Sequence, residues 1–173
     1  MTRILGIDPG SRRTGFGVIE VVGGKELYVT SGIIKLPDKA SLPERLKIIY
    51  AGVSEIIEEA RPDLMAIEEV FFAKDPRAAL KLGQARGAAI VAGMNAGLSV
   101  GEYSARTVKQ SVVGTGAATK DQVGEMVKYL LKLAARPKED AADALAVALC
   151  HAHSSRTQAN LAGINRYARG RMK

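Results

Sequence analysis

Four acidic residues stand where an acid is hard to place unless it does chemistry. Asp8 ends an apolar, β-favouring run that stops at Pro9-Gly10, and Glu68 follows Leu64-Met65-Ala66-Ile67. Asp140 and Asp143 interrupt an otherwise alanine-rich apolar segment. The last two are spaced i, i+3, which puts both on one face of a helix. A helix crossing the ends of the strands that carry Asp8 and Glu68 would bring all four carboxylates together. Two like charges ~4 Å apart repel by about 4 kcal/mol at an effective dielectric near 20, so such a cluster requires protons or cations. Oxygen donors of this kind suit hard divalent cations. Two such ions ~3.5–4 Å apart can activate a water and stabilise the leaving oxygen of an in-line phosphodiester displacement. Blander readings exist for single members of the set. Asp8 before Pro-Gly is also a turn former, Asp140 near a helix start is also a dipole partner, and Glu69 could be the exposed one of its pair.

No other constellation competes for the chemistry. The only histidines, His151 and His153, lie late in the last apolar helix and read as a helix C-terminal dipole pair, and the single cysteine, Cys150, reads as a core residue. One cysteine supports neither an internal disulfide nor a cysteine-based zinc site. The net charge of +7 is unevenly spread. Residues 70–138 hold 11 basic and 4 acidic groups, residues 139–153 hold Glu139, Asp140 and Asp143 without a lysine or arginine, and residues 154–173 hold five basic groups and no acid. Basic zones flanking short acidic elements suit a polyanion lying over the former and metal ions in the latter, although a solvated basic face would look the same.

The elements that must position these groups follow from hydrophobic period and turn residues. Arg3–Asp8, Thr14–Val22 and Glu26–Leu36 read as three strands of an antiparallel meander, the last two joined at Gly23-Gly24. Ser41 with Glu44 has capping-box spacing and opens a helix that ends before Pro62. Asp63–Val70 is a short buried strand with Leu64, Ala66 and Glu68 on one face. Pro76–Ala96 is a helix dense in small residues, suited to a close helix–helix contact between subunits. A strand over Leu98–Tyr103 and helices over Ala105–Val112, Lys120 to about Ala134, and Pro137 to about His151 complete the chain. The outcome is an α/β fold, a five-stranded mixed sheet with helices on both faces. Its expected organisation is a single domain over residues 1–153 and a basic, flexible tail over residues 154–173. With no membrane-length apolar run and no secretory leader pattern, a cytoplasmic location is expected.

Gly6-Ile7-Asp8-Pro9-Gly10-Ser11, Ala66-Ile67-Glu68 followed by Val70-Phe71, the run from Ala79 to Gly87, the segment from Gly114-x-Gly116 to Lys120-x-Gln122-Val123, and Asp140-Ala-Ala-Asp143-Ala-Leu occur here in that order. Together they resemble the RuvC-type Holliday junction resolvases, over about residues 3–153. The resemblance implies an RNase H-like fold and a homodimer with two active sites. It implies Mg²⁺-dependent paired nicking of four-way DNA junctions in recombination and repair, with two ions per site, Mn²⁺ as a substitute, and RuvA and RuvB as partners. It makes Asp8, Glu68, Asp140 and Asp143 the catalytic, metal-holding acids. Phe71 becomes an aromatic placed against junction bases, for which stacking is worth ~1–3 kcal/mol per base. Lys109 and Lys120 become contacts to DNA near the scissile phosphate, and the helix over 76–96 the dimer-forming helix. Two departures stand out: Glu69 replaces the usual Gln, and Asp75-Pro76 replaces a more common Asn-containing turn.

Two other readings fit parts of the pattern. Gly6-Ile7-Asp8-x-Gly10-Ser11 also resembles the phosphate loop of sugar-kinase and chaperone-like ATPases, although 173 residues hold only one such half. A DNA-binding dimer without catalysis is the second, and it predicts no effect of Asp8→Asn or Glu68→Gln.

Overall fold

The computed structural model describes residues 1–70 and 75–169, with side chains described through residue 157. Strands β1 (Thr2–Asp8), β2 (Arg13–Val22) and β3 (Lys25–Lys35) form the expected meander, joined at the tip by Gly23 and Gly24, both at positive φ. Helix α1 (Leu42–Ala60) starts at Ser41, whose capping box with Glu44 is formed, and leads into β4 (Leu64–Glu68). Helix α2 (Pro76–Asn95) begins at Asp75, whose carboxylate accepts from the Arg77 N–H at 3.0 Å. The Asp75-Pro76 departure is thus a helix start, with proline at the position where its missing N–H matters least. After α2 come β5 (Ser99–Tyr103), α3 (Ala105–Val113), α4 (Lys120–Leu130) and α5 (Glu139–Arg169). None of the described helices is long and apolar enough to cross a membrane.

The sheet order is β3-β2-β1-β4-β5, with β1 parallel to β4 and β4 parallel to β5. Period-two alternation sorts the strand residues between two cores. Ile4, Ile19 and Ala66 pack on one face with α3, α4 and α5, while Leu5, Ile7, Val18, Met65 and Ile67 pack on the other against α1 and α2. Continuing that alternation places Asp8 and Glu68 on the α5 face.

Helix α5 lies unusually close to the sheet because glycine lines its path. A β-carbon on Gly15 would collide with the carbonyl oxygen of Asp140, and one on Gly6 with that of Ala144. The helix residues Ala144 to Cys150 are fully buried. Only a helix pressed this closely onto β1 and β2 can set an acid at its first turns beside the strand ends.

Strand β4 is shorter at both ends than the expected Asp63–Val70, and three helix boundaries differ from expectation by two residues or more. Helix α4 stops at Leu130, several residues short of Ala134, in a turn where Lys132 takes positive φ. Pro137 precedes the first turn of α5 instead of lying in it, and the Lys138 carbonyl accepts from the Ala142 N–H. Helix α5 does not end near His151 but continues to Arg169. No proline follows and no glycine occurs before Gly163, while Arg156 bonds the Gly24 carbonyl at 2.9 Å and pairs with Glu26, tying the continued helix to the β2–β3 hairpin. The histidines are therefore mid-helix residues and not a C-terminal dipole pair. His151 Nδ1 meets the Tyr103 hydroxyl at 2.9 Å and His153 Nδ1 meets the Ser111 hydroxyl at 3.1 Å. Cys150 is buried, as expected of a core residue.

Candidate active site

The parallel pairing of β1 with β4 ends with Ile7 opposite Ile67, so Asp8 and Glu68 leave adjacent strands at the same level. Helix α5 brings Asp143 over them. These three acids and the basic Lys109 and Lys120 line one cavity of about 170 Å³, with Ala105, Val108, Val123 and Ala146 as its apolar walls.

The electrostatics follow from burial of like charges. Asp8 is pushed from an ordinary 3.8 up to about 8, first by burial, then by the neighbouring charges of Glu68 and Asp143. Glu68 is pushed up to about 7, again by burial and then by Asp143, with Lys120 and Lys109 opposing. Asp143 is also raised by burial, opposed by Lys120. The Lys120 ammonium donates to Glu139 at 2.6 Å and to Asp143 at 3.3 Å, and the Glu139 bond in particular pushes its own pKa upward. Lys120 is thus a fixed positive charge at the edge of the acid cluster.

Asp140 stands one turn before Asp143 on the rim. It does not line the cavity, its side chain is 31 % exposed, and its nearest cation is Arg13 at 3.8 Å. Its charge still contributes to raising both Asp8 and Asp143. The structure therefore brings three of the four expected acids around one cavity and leaves the fourth at its edge. Among the described residues, no three His, Cys, Asp or Glu side chains are gathered tightly enough to cage a metal ion as they stand. The donor set nevertheless fits a hard cation: it is all carboxylate oxygen, burial and then neighbouring acids raise the proton affinity of Asp8 and Glu68, and among the described residues neither of these two is paired with a cation.

Glu69 is exposed, and its N–H donates to the Tyr103 carbonyl at 2.8 Å, so the extra acid faces solvent. Phe71 lies outside the described residues. Sequence reasoning missed Arg13 and Glu139, the rim groups that pair with Asp140 and Lys120. Adjacency was the available signal: Glu139 immediately precedes Asp140, and Arg13 opens the strand that contains Gly15.

The family model described as Crossover junction endodeoxyribonuclease RuvC matches residues 4–151. A relative of that name from Tolumonas auensis is 62% identical over 174 residues, covering 100% of both chains. Another from Saccharophagus degradans is 56% identical over 172 residues, covering 99% of both. Among solved structures, Thermus thermophilus RuvC in complex with a Holliday junction substrate is similar at a TM-score of 0.86 and 38% identity, over 91% of this chain and 97% of that one. The yeast mitochondrial Holliday junction resolvase Ydc2, at 14% identity and a TM-score of 0.69 over 98% and 84% of the two chains, shares the fold. The five-stranded mixed sheet with its covering helices is accordingly the RNase H-like arrangement, and the motif order from Gly6 to Leu145 has its explanation in descent. The chain belongs to the RuvC family of crossover junction endodeoxyribonucleases.

Proposed function

We propose that this chain is a Mg²⁺-dependent endonuclease that resolves four-way DNA junctions by paired in-line hydrolysis on symmetric strands, leaving 5′-phosphate and 3′-hydroxyl ends. The observation that carries the reading is the convergence of Asp8, Glu68 and Asp143 on one cavity beside Lys109 and Lys120. Asp8, Glu68, Asp143 and the rim residue Asp140 would hold two Mg²⁺ ions, or Mn²⁺ in their place. When bound, such ions supply activation of the attacking water and stabilisation of the leaving oxygen.

The protein groups have separate tasks. Burial raises Asp8 to about 8 and Glu68 to about 7, so these two exchange protons for cations at little cost near pH 8. Lys109 and Lys120 offer positive charge to the phosphate at the cavity mouth, and the Glu139 bond keeps Lys120 protonated. Phe71, which follows the β4 strand end by three residues, is proposed to stack on unpaired bases at the junction centre. Helix α2 is proposed to pair two copies of the chain: Leu80, Val91 and Met94 are exposed along it, and Gly83 and Gly87 open onto free space. Residues 1–153 would form the nuclease unit, with the basic residues beyond them adding attraction for DNA. Work on a junction in the cytoplasm alongside the branch-migration proteins RuvA and RuvB completes the reading.

A synthetic four-way junction tests it, incubated with wild type or Asp8→Asn in Mg²⁺ or EDTA beside a linear duplex of the same sequence. Symmetric, ligatable nicks only with wild type and Mg²⁺ are expected, with Asp8→Asn still binding the junction. Equal cutting of linear duplex would leave a general nuclease and refute the junction reading.

A further inference from the structure

Arg86 stands on α2, on the face of the sheet opposite α5, and it does not line the acid cavity. Its side chain is nevertheless only 19% exposed. Its Nε donates to the backbone carbonyl of Glu68 at 3.1 Å, and its Nη2 pairs with the carboxylate of Glu102 on β5. We propose that Arg86 is a positioning residue that fixes the backbone of Glu68 and so aims its carboxylate into the active site.

The need for such a group follows from the end of the sheet. The β1–β4 ladder stops at Ile7 and Ile67, and the residue after Asp8 is Pro9, which has no N–H with which to continue it. The Glu68 carbonyl lies past the reach of that ladder, and the Arg86 guanidinium supplies the donor that the proline cannot. On the other side, the Glu69 N–H is held by the Tyr103 carbonyl at 2.8 Å. The peptide between Glu68 and Glu69 is thereby gripped at both of its polar groups, and a fixed peptide plane fixes the direction in which the Glu68 side chain departs.

Arginine suits this place better than lysine does. A planar guanidinium presents donors in fixed directions, so one side chain can bond the end of β4 and a carboxylate on β5 together, whereas an ammonium is a single compact charge. The helix beneath is itself anchored, since Ala85 and Ala89 are buried against the sheet. An arginine of a DNA-cutting protein spent inside the fold in this way does not serve a phosphate.

The inference rests on the reading of Glu68 as a metal-holding acid, and Glu68→Gln tests that reading separately: if it leaves cleavage intact, the reading of the site fails. For the inference itself, Arg86→Gln, Arg86→Lys and Glu102→Gln are made in the full chain. Junction binding in EDTA should stay within about twofold of wild type, while kcat for Arg86→Gln falls roughly 10–100-fold and the Mg²⁺ midpoint rises, the range usual for loss of an outer-shell orienting partner. Arg86→Lys should recover part of the loss, and Glu102→Gln should show a smaller effect of the same kind. In metal-free protein, hydrogen exchange at the Glu69 amide should quicken in Arg86→Gln while the amides of β1 are unchanged. Wild-type kcat and Mg²⁺ midpoint in Arg86→Gln would overturn the proposal. So would a matching loss of junction binding in EDTA, which would make Arg86 a phosphate contact, or faster exchange across the whole sheet, which would make it an ordinary structural tie. Should Arg86→Gln fail to fold, Glu102→Gln carries the same comparison, and a wild-type Mg²⁺ midpoint there would overturn it.

Discussion

Replacing Asp8 by asparagine should make the metal-free protein more stable at alkaline pH while leaving its stability at acid pH nearly unchanged. Asp8 titrates at about 8 in the fold against an ordinary 3.8, so between those values the folded state holds a proton that the unfolded state has lost. Stability therefore falls as pH rises through this window. At 1.36 kcal/mol per tenfold change in proton binding, the Asp8 penalty is about 1.7 kcal/mol at pH 5 and about 6 kcal/mol at pH 9. Glu68 and Asp143 share the repulsion, and a partly open site relaxes, so roughly half of the 4 kcal/mol difference is the realistic expectation. Asparagine has the shape of the protonated acid without its ability to ionise, which removes the penalty and leaves the packing. Thermal unfolding in EDTA should thus show Asp8→Asn gaining on wild type by about 2 kcal/mol between pH 5 and pH 9, on the order of 4–8 °C in Tm for a chain of this size. Mg²⁺ at pH 8 should stabilise wild type and do little for Asp8→Asn. Parallel pH profiles for the two proteins would refute the reasoning, because they would mean that Asp8 is neither desolvated nor pressed by its neighbours.

Gly15→Ala places a methyl group against the Asp140 carbonyl; it should lower stability by about 1–3 kcal/mol and reduce cleavage more than junction binding, as read by denaturant titration beside a cleavage assay. Lys120→Met removes the charge that bonds Glu139 and Asp143, and single-turnover cleavage should drop roughly 10²–10³-fold, as for loss of one preorganised charge at a reacting phosphate. Removing residues 158–173 deletes Arg166, Arg169, Arg171 and Lys173; the slope of log binding constant against log salt on duplex DNA should flatten by up to about 3–4, with chemistry on a bound junction unchanged.

Much of this architecture was legible because local signals agreed with one another. The strand alternation that put Leu64, Ala66 and Glu68 on one face, the Ser41–Glu44 capping box and the i, i+3 spacing of Asp140 and Asp143 all lie within a few residues, and all three hold in the fold. What could not be read depends on distant partners. The run of α5 past His151 is held by Arg156 against Glu26 and Gly24 of a hairpin 130 residues earlier. Whether Glu68 or Glu69 faced the site was settled only by the α5 side of the sheet. The place of Asp140 on the rim depends on the rotation of a whole helix about its axis, a quantity that spacing leaves open.

That rotation is set by glycine. With Gly6 and Gly15 beneath it, the α5 backbone at Ala144 and Asp140 comes directly against the strands, and a shift of one methyl group's thickness would move both helix acids relative to both strand acids. A cluster of buried acids can open outward to escape its own repulsion unless the elements carrying it are held, and here β1 and β4 are held to each other up to Ile7 and Ile67, the Glu68–Glu69 peptide by Arg86 and Tyr103, and the helix by contact with strand backbone. Burial, with the repulsion added to it, then persists as raised proton affinity at Asp8 and Glu68 instead of being relieved by movement, and it is that preference for positive charge which a divalent cation would satisfy.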